Sequence, residues 1–171
     1  MDEETARLFN RMRRELETLR ALELPPARCA ARYSTNAGQS IANNTHVIID
    51  FEDKDYDTHT AVTTGAAWKF TCPTGQGGPY RVSVFLLFAS TATWAAGEIA
   101  QASIYKGGVL HSVLDRKTAE SATTLYKELG GSGGVYLSAG EFIDVRAYHT
   151  SGAALALHND GLYNYISISR V

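Results

Sequence analysis

The chain has 171 residues and a formal net charge of -2, with 44% hydrophobic and 20% charged side chains. It is long enough for one packed core and too short for two ordinary domains, and without a basic excess it lacks the electrostatic footprint of a nucleic-acid binder. The charge is uneven: residues 1–24 carry 11 charged side chains and the other 147 residues carry 23, which divides the chain near Leu24.

The opening MDEETARLFN has no basic stretch ahead of an apolar run, so it does not read as a secretory signal. No later apolar run is long enough for a membrane helix. The expected product is a soluble chain made in a cytoplasm, with no membrane insertion. Phe9, Met12, Leu16 and Leu19 alternate spacings of three and four, the a/d pattern of a coiled coil. Leu8 and Leu22 widen the stripe, which suits three or more strands better than a narrow two-stranded seam. Asp2, Glu3 and Glu4 complement a helix start, and Pro25-Pro26 stops the helix sharply. The spacing predicts a helix over residues 3–23, about 30 Å long and marginal on its own in water. Its stripe needs a partner, either the chain's own domain or, favoured by the stiff Pro-Pro exit, parallel copies in an oligomerisation stalk. The expected organisation is a stalk over 1–24, a Pro-rich junction over 25–27 and a head over 28–171.

From Arg28 the texture changes to short β-branched and aromatic runs broken by Gly, Asn and Ser. Strands are expected over 29–34, 45–51, 67–72, 80–89, 98–106, 109–116, 123–129, 135–138, 141–150, 153–157 and 162–170. Lys106-Gly107-Gly108-Val109 reads as a tight hairpin. So many short strands without intervening helices predict an all-β antiparallel sandwich or barrel. Ile143, Val145 and Ala147 share one face, opposite Asp144 and Arg146; Ile166 and Ile168 oppose Tyr165, Ser167 and Ser169. The stretch from Val82 to Phe88 is nearly continuously apolar, as in a strand covered on both sides. One side is expected in the core and the other at a subunit interface, with Val82, Val84, Leu86, Phe88, Tyr163 and Tyr165 as candidate interface residues.

Chemistry-bearing patterns are sparse. His46, His59, His111, His149 and His158 are dispersed, and there is no nucleophile elbow, phosphate loop or dinucleotide fingerprint. Gly130-Gly131-Ser132-Gly133-Gly134 lacks the Lys-Ser/Thr of a phosphate loop and reads as a flexible loop. No catalytic residues and no enzymatic activity are expected. In the acidic run from Asp50, Asp53, Asp55 and Asp57 have the alternate spacing of a calcium loop, but Thr58 and Thr64 stand where an EF-hand needs Gly and Glu. The run reads as a solvated acidic loop, with calcium as the weaker alternative and no other cofactor. Cys29 and Cys72 lack metal-ligand spacing; bridged or buried as free thiols is left open.

The stretches HVIIDFEDKDYDTHT, WKFTCPTGQGGPYRVSVFLLF, AQASIYKGGVLHS, VYLSAGEFIDVRAYHTSG and YNYISISRV, in this order, resemble the globular heads of the complement component-one q subunit and tumour necrosis factor. Phe51, Tyr56 and Asp57 match an aromatic followed by a Tyr-Asp pair. Phe70, Pro73 and Gly78-Pro79-Tyr80 match the next strand, and Leu137, Gly140 and Glu141 match a Leu-x-x-Gly-acid turn. The chain departs from the pattern around residues 75–79 and 119–134, and no collagen repeat precedes the head. The short coiled-coil stub, the Leu24-Pro25-Pro26-Ala27-Arg28 junction and the SIANNT opening resemble small head proteins of bacteriophages.

The resemblance implies a ten-stranded antiparallel jelly-roll sandwich assembled as a homotrimer, and for some relatives a calcium site. It also implies a non-enzymatic virion protein, a tail-fibre tip or capsid-surface fibre. The N-terminal helix would meet other virion proteins, and the head would meet a host-surface glycan or protein. The alternatives are a capsid decoration protein without receptor binding, a soluble recognition ligand of the complement or tumour-necrosis-factor kind, and a depolymerase head.

Overall fold

Alternating apolar and polar side chains fold the chain from Arg28 onward into antiparallel strands; the computed structural model describes residues 11–15, 28–89, 93–124 and 126–171. Residues 11–15 are helical, with Arg11 Nε paired to Glu15 Oε1 at 3.0 Å. Met12 is 60% exposed. The other expected stalk positions, Phe9, Leu16 and Leu19, lie outside the described residues, as does Pro25-Pro26.

The strands are β1 (Ala30–Ser34), β2 (Ser40–Ile41), β3 (Val47–Ile48), β4 (Asp53–Asp57), β5 (Val62–Thr63), β6 (Lys69–Thr71) and β7 (Gly78–Phe88). Then follow β8 (Thr93–Trp94), β9 (Ile99–Lys106), β10 (Val109–Thr118) and β11 (Thr123–Thr124). The last are β12 (Lys127–Leu137), β13 (Phe142–His149), β14 (Leu155–Ala156) and β15 (Tyr165–Arg170). One sheet has the order β12-β7-β15-β1-β4; the other has β10-β9-β13-β6-β5, with β3 also on β13. Together they form a jelly-roll sandwich.

Between the sheets lie Phe51, Trp68, Phe70, Tyr80, Phe88 and Trp94, each at most 1% exposed. They meet edge-on in pairs, Phe51 with Trp68 and Phe70 with Tyr80, a geometry worth about 0.5–1.5 kcal/mol per pair beyond burial. The predicted faces of β13 and β15 hold: Ile143, Val145, Ala147, Ile166 and Ile168 are all in the core.

Register defines two poles. Ala30 pairs with Ser169 and Ser34 with Tyr165, so the start of the head and its C-terminus share a near pole. The near pole carries tight turns: Gly107 and Gly108 link β9 to β10 with φ of 58° and 81°, and Gly140 (φ 83°) lies in the turn before β13. The longer connections gather at the far pole, where the ribbons β14-β2 and β11-β8 brace them.

Two sequence expectations are corrected. The glycine-rich stretch at 130–134 is not a loop but the middle of β12, paired residue by residue with β7 from Phe85 to Arg81. A Cβ on inward-facing Gly131 or Gly133 would collide with Leu114 of β10, so bare backbone lets the edges of the two sheets meet. The strand expected over 45–51 shrinks to Val47–Ile48 because the Gln39 side chain replaces part of a ladder. Its Nε2 donates to the Ile48 carbonyl at 2.8 Å, and its Oε1 accepts from Asp50 N at 3.0 Å.

Candidate functional site

The sheet containing β7 and β15 presents a mixed outer face. Val82, Val84, Leu86 and Phe88 do not lie on it: they are 0–3% exposed and part of the intramolecular core. This corrects their assignment to a subunit interface. The outward positions of β7 are instead Arg81, Ser83, Phe85 and Leu87. Strict alternation selects one apolar set for the core and leaves Phe85 and Leu87 half-buried outside. Tyr165, also an expected interface residue, is on this face; its ring stacks on Phe85 at 6.0 Å, and the Arg32 guanidinium lies 4.4 Å from its centroid.

Toward the far pole the face deepens into a groove of about 540 Å³ lined by Phe85, Leu87, Tyr126, Glu128, His158, Asp160 and Tyr163. Tyr126 and Tyr163 flank the His158 ring at 5.5 and 5.4 Å and are 51% and 44% exposed. Among the described residues the lining holds two carboxylates and no lysine or arginine. Among the described residues, too, His158 Nδ1 is buried without a hydrogen-bond partner.

Asn164, fully buried, organises the groove from beneath. Its Oδ1 accepts from Leu87 N at 3.0 Å, and its Nδ2 donates to the His158 carbonyl at 2.7 Å and the Asp160 carbonyl at 3.3 Å. In sequence, an asparagine ahead of a strand looks like any turn residue. Its one visible signal was the unbroken Tyr-Asn-Tyr approach to β15.

A second surface lies on β10. Bulges between Leu110 and Ser112 and between Val113 and Asp115 place Leu110, Val113 and Arg116 opposite Tyr105, Ser103 and Gln101, alternate residues of β9. Two extra residues thus turn a period of two into a period of three, making one outward row from near pole to far pole. Leu110 and Val113 are 49% and 48% exposed, and neighbouring Val109 71%.

The acidic run is employed within the fold. Asp53, Asp55 and Asp57 lie on β4, which is an edge strand and not a loop. Asp55 Oδ2 accepts from Arg32 Nε at 2.8 Å. Asp57 accepts from the backbone N–H groups of His59, Ala61 and Val62 and from the Tyr33 hydroxyl. Desolvation, reinforced by Asp57, pushes Tyr33 up to about 12. Among the described residues no group of three His, Cys, Asp or Glu side chains is placed to hold a metal ion.

Cys29 and Cys72 are free and buried. Burial pushes the Cys29 thiol up. Cys72 Sγ sits 3.6 Å from the Tyr80 hydroxyl, which donates to the Gln76 carbonyl at 2.8 Å.

Ser151 Oγ lies 3.0 Å from His149 Nδ1, a serine–histidine pair by distance. The imidazole is fully buried, edge-on to Phe88 and Trp94, and its Nε2 is 2.9 Å from the Ile41 carbonyl. Ser151 Oγ donates to the Ala153 carbonyl at 3.1 Å. The pair fastens the turn after β13 and gives a substrate no access to the base. The remaining histidines are apart: His46 stacks on Tyr148 at 4.6 Å, His59 meets Thr58, and His111 lies by the Gly134 carbonyl.

No protein-family model matches the chain, and no curated protein matches its sequence. Solved structures do. The globular domain of zebrafish complement 1qA aligns with a TM-score of 0.59 at 14% identity, over 84% of this chain and 97% of that one. Murine APRIL at pH 5.0 aligns at 0.57 and 12% identity, over 84% and 99%. The PRD1 vertex protein P5 aligns at 0.52 and 20% identity, over 84% and 96%. The fold is therefore the jelly roll of the tumour necrosis factor and complement q heads, as the sequence resemblance implied, and the PRD1 vertex protein P5 shares it.

Proposed function

We propose that the protein is a non-enzymatic, homotrimeric structural protein of a bacteriophage particle, a tail-fibre tip or capsid-surface fibre. Residues 1–24 form a parallel stalk that meets other virion proteins, and residues 28–171 form the displayed head. The observation that carries this reading is polarity. The head joins its N-terminal segment at one pole, and its long connections collect at the other, where contacts with a host-surface glycan or protein would be made. The likeness to a phage vertex protein supports the virion setting.

Two exposed surfaces on one chain support the trimer. The apolar row on the edge strand β10 and the aromatic face around Phe85, Leu87, Tyr163 and Tyr165 are different patches, as a head-to-tail ring requires. Each copy would lay its β10 edge on the next copy's face.

Analytical ultracentrifugation tests the assembly: a trimer at micromolar concentration is expected, and a monomer overturns it. Immunogold electron microscopy of purified particles tests the setting, with label on tail or capsid surface expected and unlabelled particles refuting it. Leu16→Asp with Leu19→Asp should weaken the stalk while leaving the heads folded by circular dichroism.

A further inference from the structure

Among the described residues, the groove and the β10 row contain charges that their own subunit leaves uncommitted. Arg116 is exposed and, among the described residues, makes no ion pair or hydrogen bond, whereas adjacent Lys117 has Asp115 within 3.8 Å. Glu128, across from Leu87 in the register of β12 and β7, is likewise exposed and unpaired among the described residues. Asp160 uses Oδ1 to accept from Leu162 N, and among the described residues its other oxygen has no partner.

These groups are level with one another along the head. The Asp115 carboxylate accepts from Gly130 N at 3.0 Å, and His111 lies beside Gly134 at 3.3 Å, so β10 climbs toward the far pole as β12 descends. Arg116 is one step beyond Asp115 and therefore reaches the height of Glu128 and Leu87. In a closed threefold ring all copies sit at the same height on the axis. A residue on one copy's edge consequently meets its own level on the neighbour's face.

We propose that Arg116 of each copy inserts into the far-pole groove of the next. Its guanidinium lies against the neighbouring copy's Glu128 and Asp160, beside the exposed faces of Tyr126 and Tyr163. Leu110 and Val113, lower in the same row, face the lower part of the neighbour's sheet. The groove suits this occupant chemically. Aromatic faces attract a guanidinium through their quadrupole, two carboxylates accept from its planar fork, and no cation in the lining opposes it. The bulges of β10 gain a purpose, since they put the cation in line with the apolar residues. The contact rests on the trimeric reading above and adds what locks the ring at its outer end.

The test is a charge swap on the full chain, read by sedimentation over a dilution series with circular dichroism as a folding check. Arg116→Glu or Glu128→Arg alone should raise the concentration at which the trimer falls apart by at least about tenfold. The double variant should recover most of the loss. A trimer indifferent to both single changes, or a double variant as weak as the singles, overturns the contact while leaving the trimer standing. A wild-type chain that is monomeric at micromolar concentration overturns the trimer and the contact together. Should either single variant unfold, Arg116→Gln replaces it, with the same weakening expected and unchanged dissociation counting against the contact.

Discussion

Gly131 lies so close beneath Leu114 that a Cβ added to it would fall 2.9 Å from the Leu114 carbonyl carbon. Backbone cannot yield there as a flexible side chain would, so Gly131→Ala should destabilise the head by about 1–3 kcal/mol. Gly134, in the same run, has 3.9 Å to its nearest obstacle. Gly134→Ala should range from neutral to about 1 kcal/mol stabilising, through the unfolded chain. Urea unfolding midpoints of the two variants decide the point, and equal midpoints would refute the edge-to-edge contact.

Asn164, itself fully buried, holds three part-buried backbone groups, Leu87 N and the His158 and Asp160 carbonyls. Asn164→Leu should cost about 1–3 kcal/mol, because it strands a part-buried N–H and two carbonyls. Asn164→Asp keeps the acceptor for Leu87 N but sets negative charge against the His158 and Asp160 carbonyls, so it should rescue little. Thermal melts of the three proteins test this. Amide exchange should also show Leu87 and residues 158–163 opening first.

His46 gives the head an acid response. Desolvation against its neighbours and the nearby Arg146 hold the imidazole below its ordinary value, so the fold favours the neutral ring. That contribution is present above about pH 6.5 and fades as the pH falls through the lower folded-state value. The ring is largely exposed, which keeps the effect small. Melting temperature should decline on acidification from pH 7 to pH 5, and His46→Phe, which keeps the ring stacked on Tyr148, should flatten that part of the profile.

At the alkaline end Tyr33 acts in the opposite sense. Its hydroxyl faces Asp57 at 3.3 Å, and its folded-state value near 12 lies above the ordinary 10. Stability from the neutral phenol is complete below pH 10 and is lost as the pH rises from 10 to 12. Tyr33→Phe should lose less stability than wild type over that interval in pH-dependent melts.

Much of the fold was legible because alternation survives in β13 and β15 and the Gly107-Gly108 hairpin has one geometry available to it. The merged strand β12 was not, because glycines carry no side-chain period and only the partner strand reveals why they are there. The error at Val82 to Phe88 has a different origin. Both alternating sets of β7 contain large apolar residues, and sequence alone does not say which set turns inward. For the candidate site, the expected Tyr163 and Tyr165 do fall on the outer face. Glu128, His158 and Asp160 reach it from two separate stretches, and Arg116 joins its row only through bulges that no local pattern announces.

The acidic strand β4 has a consequence for the behaviour of the unassembled chain. Among the described residues it is the last strand of its sheet, the kind of margin that recruits foreign strands. Asp53, Lys54 and Asp55 are exposed along it, and a second copy approaching edge to edge would meet this charge. On the opposite flank, the glycine run of β12 draws β10 close enough to leave little margin open. A chain synthesised in many copies is thereby steered away from fibrous stacking and left to associate through its faces.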